Sequence, residues 1–360
     1  MLRLDSISLL QFRNYVQQDF PFTERVVGIC GANGAGKTNL LDAIYYMSFT
    51  KSYFSRPDSQ NVHHGLAGMR IEGRYELQGK NLKLACILRE NNRKELLWNE
   101  EVYKKFSEHI GRLPCVMIAP DDVSLITGGS EGRRSFLDTL LSQISKEYLA
   151  CLIDYNRLLQ QRNSLLKQAS DEGRLDEALL DVLDSQFSEK GTYLFKERKK
   201  FLENFLPLAG SIYTRIAGKD DGLSLQYESQ LLLTTLPVLL KENLKKDLTL
   251  QRSTSGIHRD DLQFYMEQVM FKTEASQGQR KSLLFALKLA EWQVLKENKG
   301  FTPILLLDDV FEKLDEKRMF QLLHWVCTES DGQVFITDTH PDRLRSQLEG
   351  IGTGFQLISL

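Results

Sequence analysis

From Gly68 to Ala119 the chain alternates. Met69, Ile71, Tyr75 and Leu77 are apolar, and Arg70, Glu72, Arg74 and Glu76 between them are polar. That period belongs to a strand with one face in a core and one in water. Turn clusters at Gln78-Gly79-Lys80-Asn81 and Glu90-Asn91-Asn92-Arg93 separate it from further strand-like runs at Leu82 to Leu88 and Leu96 to Trp98. The segment from about 68 to 119 therefore reads as an antiparallel β meander. From about Glu131 to Leu206 the pattern becomes helical. Leu137, Leu141, Ile144, Tyr148, Leu152, Tyr155 and Leu159 form one stripe, and Leu179, Leu183 and Phe187 begin another. The polar break Ser170-Asp171-Glu172-Gly173 between them predicts a helical hairpin whose stripes are packing faces.

The two ends of the chain have α/β character. Val26-Val27-Gly28-Ile29-Cys30 suits a buried strand, and the residues from Lys37 place Leu40, Leu41, Ile44 and Met47 at helical spacing. Near the other end, a helix pattern from Lys281 to Lys296 precedes the strand Ile304 to Leu307. Another, Glu316 to Cys327, precedes the strand Val334 to Thr337. The expected organisation is an α/β lobe made of 1–125 and 256–360, with a helical lobe, 126–255, inserted between its halves.

Composition narrows the class. The 360 residues are 42% hydrophobic and 26% charged, as in an ordinary folded protein, which excludes disorder as the dominant state. No apolar run approaches the roughly 20 residues that cross a bilayer. The first residues lack the basic-then-apolar layout of a secretory signal, so the expected location is the cytoplasm, with no membrane partner. Five scattered cysteines without a CxxC pair favour reduced thiols over a disulfide framework or zinc site. A net charge of −2 gives no global sign of nucleic-acid affinity, so any DNA contact must use a local basic patch.

The strongest chemistry lies at Gly31-Ala32-Asn33-Gly34-Ala35-Gly36-Lys37-Thr38, which fits G-x-x-x-x-G-K-[ST] at every fixed position. Glycines let the backbone turn tightly and point its N–H groups at phosphate oxygens. The following helix presents its N-terminus to the same anion. Lys37 would reach the β- and γ-phosphates, and the Thr38 hydroxyl would complete a magnesium shell. A mononucleotide with Mg2+ is the expected ligand. Ile304-Leu305-Leu306-Leu307-Asp308-Asp309 supplies acids at the end of a buried strand, where α/β sheets bind ligands. Asp308 is placed for magnesium, and Asp309 for polarising the attacking water. Most of the chain separates the two motifs, so a large insertion must loop out and return.

Ala275-Ser276-Gln277-Gly278-Gln279-Arg280-Lys281, opening a helix ahead of the acidic strand, resembles the signature motif of ABC-type ATPases in the divergent form of DNA-repair members. Further strings narrow the likeness. These are Leu10-Gln11-Phe12-Arg13-Asn14-Tyr15, the phosphate loop continued through Asn39 to Tyr46, Pro120-Asp121-Asp122, Arg133-Arg134-Ser135-Phe136-Leu137-Asp138 and His258-Arg259-Asp260-Asp261-Leu262. Together they span nearly the whole chain, which is similar to the RecF family, ABC-type ATPases with an SMC-like head. The resemblance implies an ATP-dependent DNA-binding protein of recombinational repair. Such proteins dimerise around ATP on gapped or junction-containing DNA, and they cooperate with RecR and RecO in loading RecA. They hydrolyse ATP weakly, as a switch. Carried over by position, Gly31 to Thr38 contact phosphates and magnesium, while Ser276, Gln277 and Gly278 cap the γ-phosphate held by the other subunit.

Some positions depart from the ABC pattern. Asp308-Asp309 stands where many members carry Asp-Glu, in keeping with slow turnover. Glu312-Lys313-Leu314-Asp315 occupies the place of the D-loop without its usual serine. Gln60 and the Pro120-Asp121-Asp122 segment both qualify for the Q-loop role. His340 is either a switch histidine or a loop histidine, and Arg13 and Asn14 either contact ATP or belong to a surface loop. Arg133-Arg134, Lys196-Glu197-Arg198-Lys199-Lys200 and Lys241 to Lys246 read first as solvated helix faces. Contact with DNA is expected through phosphates, without base readout. A transport ATPase subunit and a P-loop phosphotransferase are the competing classes; the motif order disfavours both.

Overall fold

The apolar runs at the N-terminus become β1 (Leu2–Phe12), β2 (Tyr15–Pro21) and β3 (Val26–Cys30), the last buried at every residue. The structure, a computed structural model, describes residues 1–54, 57–310 and 316–360. The alternating segment forms β4 (Met69–Leu77), β5 (Lys80–Leu88), β6 (Lys94–Trp98) and the short β7 (Glu101–Val102). The meander also recruits the N-terminal hairpin: one antiparallel sheet runs in the order β2-β1-β4-β5-β6-β7. Its inward residues Leu4, Ile7, Met69, Ile71 and Tyr75 join Leu40, Ile44 and Met47 in one core.

After β8 (Cys115–Ile118) the chain turns helical: Ser130–Ile144, Lys146–Glu172 and Glu177–Ala217. The stripe from Leu137 to Leu159 thus spans two helices, where its continuous period suggested one. Ser145 divides them and caps the second, its Oγ accepting from the Tyr148 N–H at 3.0 Å. The break at Gly173 comes where the polar cluster placed it, with the glycine at φ 68.

Next come β9 (Leu223–Glu228), β10 (Asp261–Met266) and β11 (Val269–Met270), a small antiparallel sheet in the order β11-β10-β9. Then β12 (Ile304–Leu307), β13 (Val334–Asp338) and β14 (Phe355–Ser359) complete a parallel sheet in the order β14-β3-β13-β12-β8. Its central strands are apolar almost throughout, as a sheet covered on both faces requires.

The chain divides into two compact units. One comprises Met1–Val123, Ile212–Lys219 and Ser276–Leu360; the other comprises Ser124–Ser211 and Asp220–Ala275. The sequence reading has the α/β lobe resume at 256. Backbone pairing of β10 with β9 keeps Asp261–Met266 in the second unit, and the first resumes at Ser276.

Two arginines with almost no exposed surface organise the second unit. Arg198 donates to Asp138 at 2.7 Å, Asp260 at 3.0 Å and the Tyr148 hydroxyl at 3.0 Å. Arg162 donates to Asp184 at 2.6 Å and Asp247 at 2.7 Å. Each guanidinium is dehydrated, so its carboxylate partners are what make its burial tolerable. Arg198→Ala should destabilise the protein by about 3–5 kcal/mol in urea denaturation, because it strands buried carboxylates without their counter-charge.

Two histidines are also withdrawn from water, His109 buried and His258 half-buried. His109 donates from Nε2 to the Met47 carbonyl at 2.7 Å, and His258 from Nε2 to the Ser253 carbonyl at 3.1 Å. Burial pushes both rings down from 6.5 to about 4, so both are neutral in the fold. As pH falls from 6.5 toward about 4, the unfolded chain takes up protons that the folded chain refuses. Unfolding free energy should therefore fall through that window by up to roughly 1.4 kcal/mol per pH unit for each histidine. Denaturation at stepped pH should show a shallower decline for His258→Gln than for the unsubstituted protein.

Candidate functional site

The loop after β3 is shaped by two glycines with left-handed backbones, Gly34 at φ 84 and Gly36 at φ 116. It is clamped from outside by the tip of the β1–β2 hairpin. The Tyr15 hydroxyl donates to the Gly36 carbonyl at 3.0 Å, and the Asn14 amide donates to the Ala35 carbonyl at 3.0 Å. Asn39 in turn donates to Asn14 Oδ1 at 2.7 Å. Within the loop the Ala35 N–H donates to the Ala32 carbonyl at 3.1 Å, closing a tight turn. Lys37 folds across the loop, its Nζ donating to the carbonyls of Gly31 at 2.9 Å and Ala32 at 3.1 Å. The helix Lys37–Phe49 starts without a side-chain cap and without an acidic residue in its first turn. Its N-terminal N–H groups are thus free of internal competition for an anion.

Facing this loop are the acids at the end of β12. The Thr38 hydroxyl lies 2.9 and 3.1 Å from the two carboxylate oxygens of Asp308. Thr337, from the end of β13, donates to Asp308 Oδ1 at 2.8 Å. Asp308 is 2% exposed. Burial pushes its carboxyl up to about 6, and the Thr337 and Thr38 hydroxyls pull in the opposite direction. A hydroxyl and a buried, electron-rich carboxylate are the hard oxygen donors that magnesium takes, so Thr38 and Asp308 fit a divalent cation. Asp309 follows with φ 45, its N–H donating to Thr337 Oγ1 at 2.8 Å. Because β3, β12 and β13 are parallel neighbours, the loop, Asp308 and Thr337 all lie at the C-terminal edge of one sheet. Thr337 went unnoticed in the sequence. Its only signal is a hydroxyl that interrupts the apolar run Val334–Ile336 at the strand's end.

The remaining candidates fall elsewhere. Ser276 is the N-cap of the helix Gln277–Lys299, in a reciprocal capping box. Its Oγ accepts from Gln279 N at 3.3 Å, and its own N–H donates to Gln279 Oε1 at 2.9 Å. Ser276 and Gln277 are exposed and Gly278 is half-buried; the hydrogen bonds of Ser276 stay within the helix start. His340 is the exposed N-cap of the helix Pro341–Ile351, its N–H donating to Asp338 Oδ1 at 3.1 Å. Asp122 accepts from the Tyr53 hydroxyl at 2.5 Å, whereas Gln60 is exposed. Glu312-Lys313-Leu314-Asp315 lies outside the described residues.

Several arginines read as solvated or ligand-facing are internal. Arg13 is paired with the buried Asp42 and donates to Ser52 at 2.8 Å, fastening the nucleotide-loop helix rather than lining a surface loop. Arg133 grips Asp261 with two bonds of 2.6 and 2.9 Å, and Arg134 donates to the Asp260 carbonyl at 2.8 Å. With Arg198 buried as well, the exposed cations of these clusters reduce to lysines such as Lys196, Lys199, Lys200, Lys241, Lys245 and Lys246.

The family model RecF/RecN/SMC N terminal domain matches residues 3–354. The DNA replication and repair protein RecF of Flavobacterium johnsoniae is 40% identical over 359 residues, 100% of each chain. That of Phocaeicola vulgatus is 41% identical, covering 99% of this chain and 96% of the relative. A solved structure of the recombination mediator protein RecF-ATP in the RecFOR pathway is 30% identical, with a TM-score of 0.87, covering 94% of this chain and 92% of that one. An Smc head domain from Pyrococcus furiosus, at 16% identity and a TM-score of 0.54 over 96% of this chain and 92% of that one, shares the fold.

A methyl group at Gly36 would sit 2.5 Å from Asn14 Nδ2 and 2.7 Å from the Tyr15 hydroxyl, on a φ of 116. Gly36→Ala should cost about 1–3 kcal/mol in chemical denaturation. Gly129→Ala, where an added Cβ meets nothing within 4 Å, serves as the comparison and should cost less.

Proposed function

The chain belongs to the RecF/RecN/SMC N-terminal domain family, within its RecF branch, and on that premise we propose that it is an ATP-gated DNA-binding protein of recombinational repair. The observation that carries the reading is the convergence of Lys37, Thr38 and Asp308 at a loop held in shape by the β1–β2 hairpin. The loop N–H groups and the helix N-terminus bind the phosphates of ATP. Lys37 exchanges the carbonyls of Gly31 and Ala32 for the β- and γ-phosphates. Thr38 and Asp308 would hold Mg2+, which neutralises charge on the terminal phosphates. Asp309 accepts the proton of the attacking water as its oxygen bonds to the γ-phosphorus. The bond to the β–γ bridging oxygen breaks, releasing ADP and phosphate. An aspartate here, one methylene shorter than glutamate, suits slow hydrolysis used as a switch.

The capped helix start at Ser276, Gln277 and Gly278 is exposed and small, as a surface meeting the γ-phosphate of a second copy needs. ATP then joins two copies into a dimer that holds gapped or junction DNA, single- or double-stranded, through phosphate contacts. RecR, with RecO and RecA in the same cytoplasmic pathway, completes the proposed partner set.

Mixing two variants tests the shared site. Lys37→Ala removes a charged partner of the phosphates and should weaken ATP binding about 10–100-fold. Ser276→Arg should still bind ATP but fail to dimerise and fail to retain DNA with ATP, compared at one fixed salt concentration. In a mixed dimer both lesions fall on one site and the other is intact, so partial recovery of dimer in the mixture is expected. Ser276→Arg protein that dimerises normally with ATP would rule the shared site out. Asp309→Asn should keep ATP binding and slow single-turnover hydrolysis by about 10²–10⁴-fold; an unchanged rate would remove Asp309 as the base.

A further inference from the structure

Strands β12 and β13 pair in parallel with Leu307 opposite Ile336, so the next residues, Asp308 and Thr337, meet just past the end of β12. The Asp308 N–H still belongs to the ladder, donating to the Ile118 carbonyl of β8 at 2.9 Å. Asp309 leaves it. At φ 45 its backbone turns left-handed, a region aspartate enters more readily than most L residues, and its N–H goes to the Thr337 hydroxyl at 2.8 Å. The same hydroxyl spends its hydrogen on Asp308 Oδ1 at 2.8 Å. One oxygen therefore holds the first acid by its carboxylate and the second by its backbone. Thr337 is 0% exposed, so the hydroxyl depends on these protein partners. Val334, Phe335 and Ile336 before it are apolar, and a valine at 337 would suit the strand equally. Strand formation alone gives no reason for a hydroxyl at this position.

We infer that Thr337 is a positioning residue for the nucleotide site: its hydroxyl keeps Asp308 aimed at Thr38 and sets the course of the backbone that carries Asp309. This rests on the nucleotide-site reading above. Thr337 touches neither reacting atom in that reading and acts through the two acids.

The test compares Thr337→Val, which keeps the shape and loses the hydroxyl, with Thr337→Ser, which keeps the hydroxyl and loses the methyl. Binding of a fluorescent ATP analogue is titrated without magnesium and across a MgCl2 series, and single-turnover hydrolysis is followed beside it. Without magnesium the variants should bind as the unsubstituted protein does. With it, Thr337→Val should need about 10–100-fold more MgCl2 for the same gain in affinity, and Thr337→Ser should behave as the unsubstituted protein. At saturating MgCl2, where ATP affinity is recovered, single-turnover hydrolysis by Thr337→Val should still lose rate constant. Equal magnesium dependence in Thr337→Val and the unsubstituted protein overturns the inference. So does an equal loss in Thr337→Ser and Thr337→Val, which would assign the effect to packing. If Thr337→Val does not fold, Thr337→Ala against Thr337→Ser puts the same question. An unsubstituted protein that shows no ATP binding with MgCl2 fails at the nucleotide-site reading itself, an outcome distinct from the others.

Discussion

The candidate site depends on β13 lying between β3 and β12. These strands come from opposite ends of the chain, and their parallel pairing puts the C-terminal edges of all three together. A parallel pair cannot be closed by a short turn, so each connection must carry structure of its own. Between β3 and its sheet partners the chain inserts the whole meander and the second unit. The phosphate loop, Asp308 and Thr337 share an edge because the sheet is assembled that way. Replacing any one of them leaves the frame in place, whereas losing the β3–β13 register would part the loop from Asp308 and Thr337.

Charge is spent inside this protein more than its sequence suggests. Arg13, Arg133, Arg162 and Arg198 are each buried and each paired with aspartate. A buried guanidinium is tolerable when carboxylates face it, and that pairing ties distant segments into one geometry. Several strings that carried the family resemblance work in this way. Arg13-Asn14-Tyr15 fastens the phosphate loop and its helix, and Asp260-Asp261 receives Arg198, Arg134 and Arg133. The first string holds the phosphate loop within its own unit, and the second ties together the helices and sheet of the other. Within the basic clusters the exposed cations are lysines, which suit the backbone contacts proposed for DNA, since such contacts need charge and reach without the planar fork of arginine.

Much was legible in the sequence because local chemistry determines it. Period-two alternation gave the meander, glycine and lysine spacing gave the phosphate loop, and four apolar residues before two acids gave the end of β12. Each depends on neighbours a few residues apart, where backbone sterics and burial act directly. Boundaries fared less well. One unbroken stripe covered two helices divided at Ser145, since a cap interrupts the backbone without disturbing the period of the side chains. The segment around Asp261 looked like part of the α/β lobe, yet pairing with β9 decides its unit, and no local pattern encodes which strand will be a partner.

The sequence alone marked Gly31 to Thr38 and Asp308 as candidates for phosphate and metal, because spacing within a loop and the end of an apolar run are local properties. Only the tertiary structure decided that Thr337 joins them, that Arg13 turns inward, and that Arg198 sits in a core rather than on a basic face. The reason is the same for all three. A hydroxyl or a guanidinium carries no mark of its partner, and whether it meets water, a carboxylate or a backbone amide depends on which distant segment folding brings within about 3 Å of it.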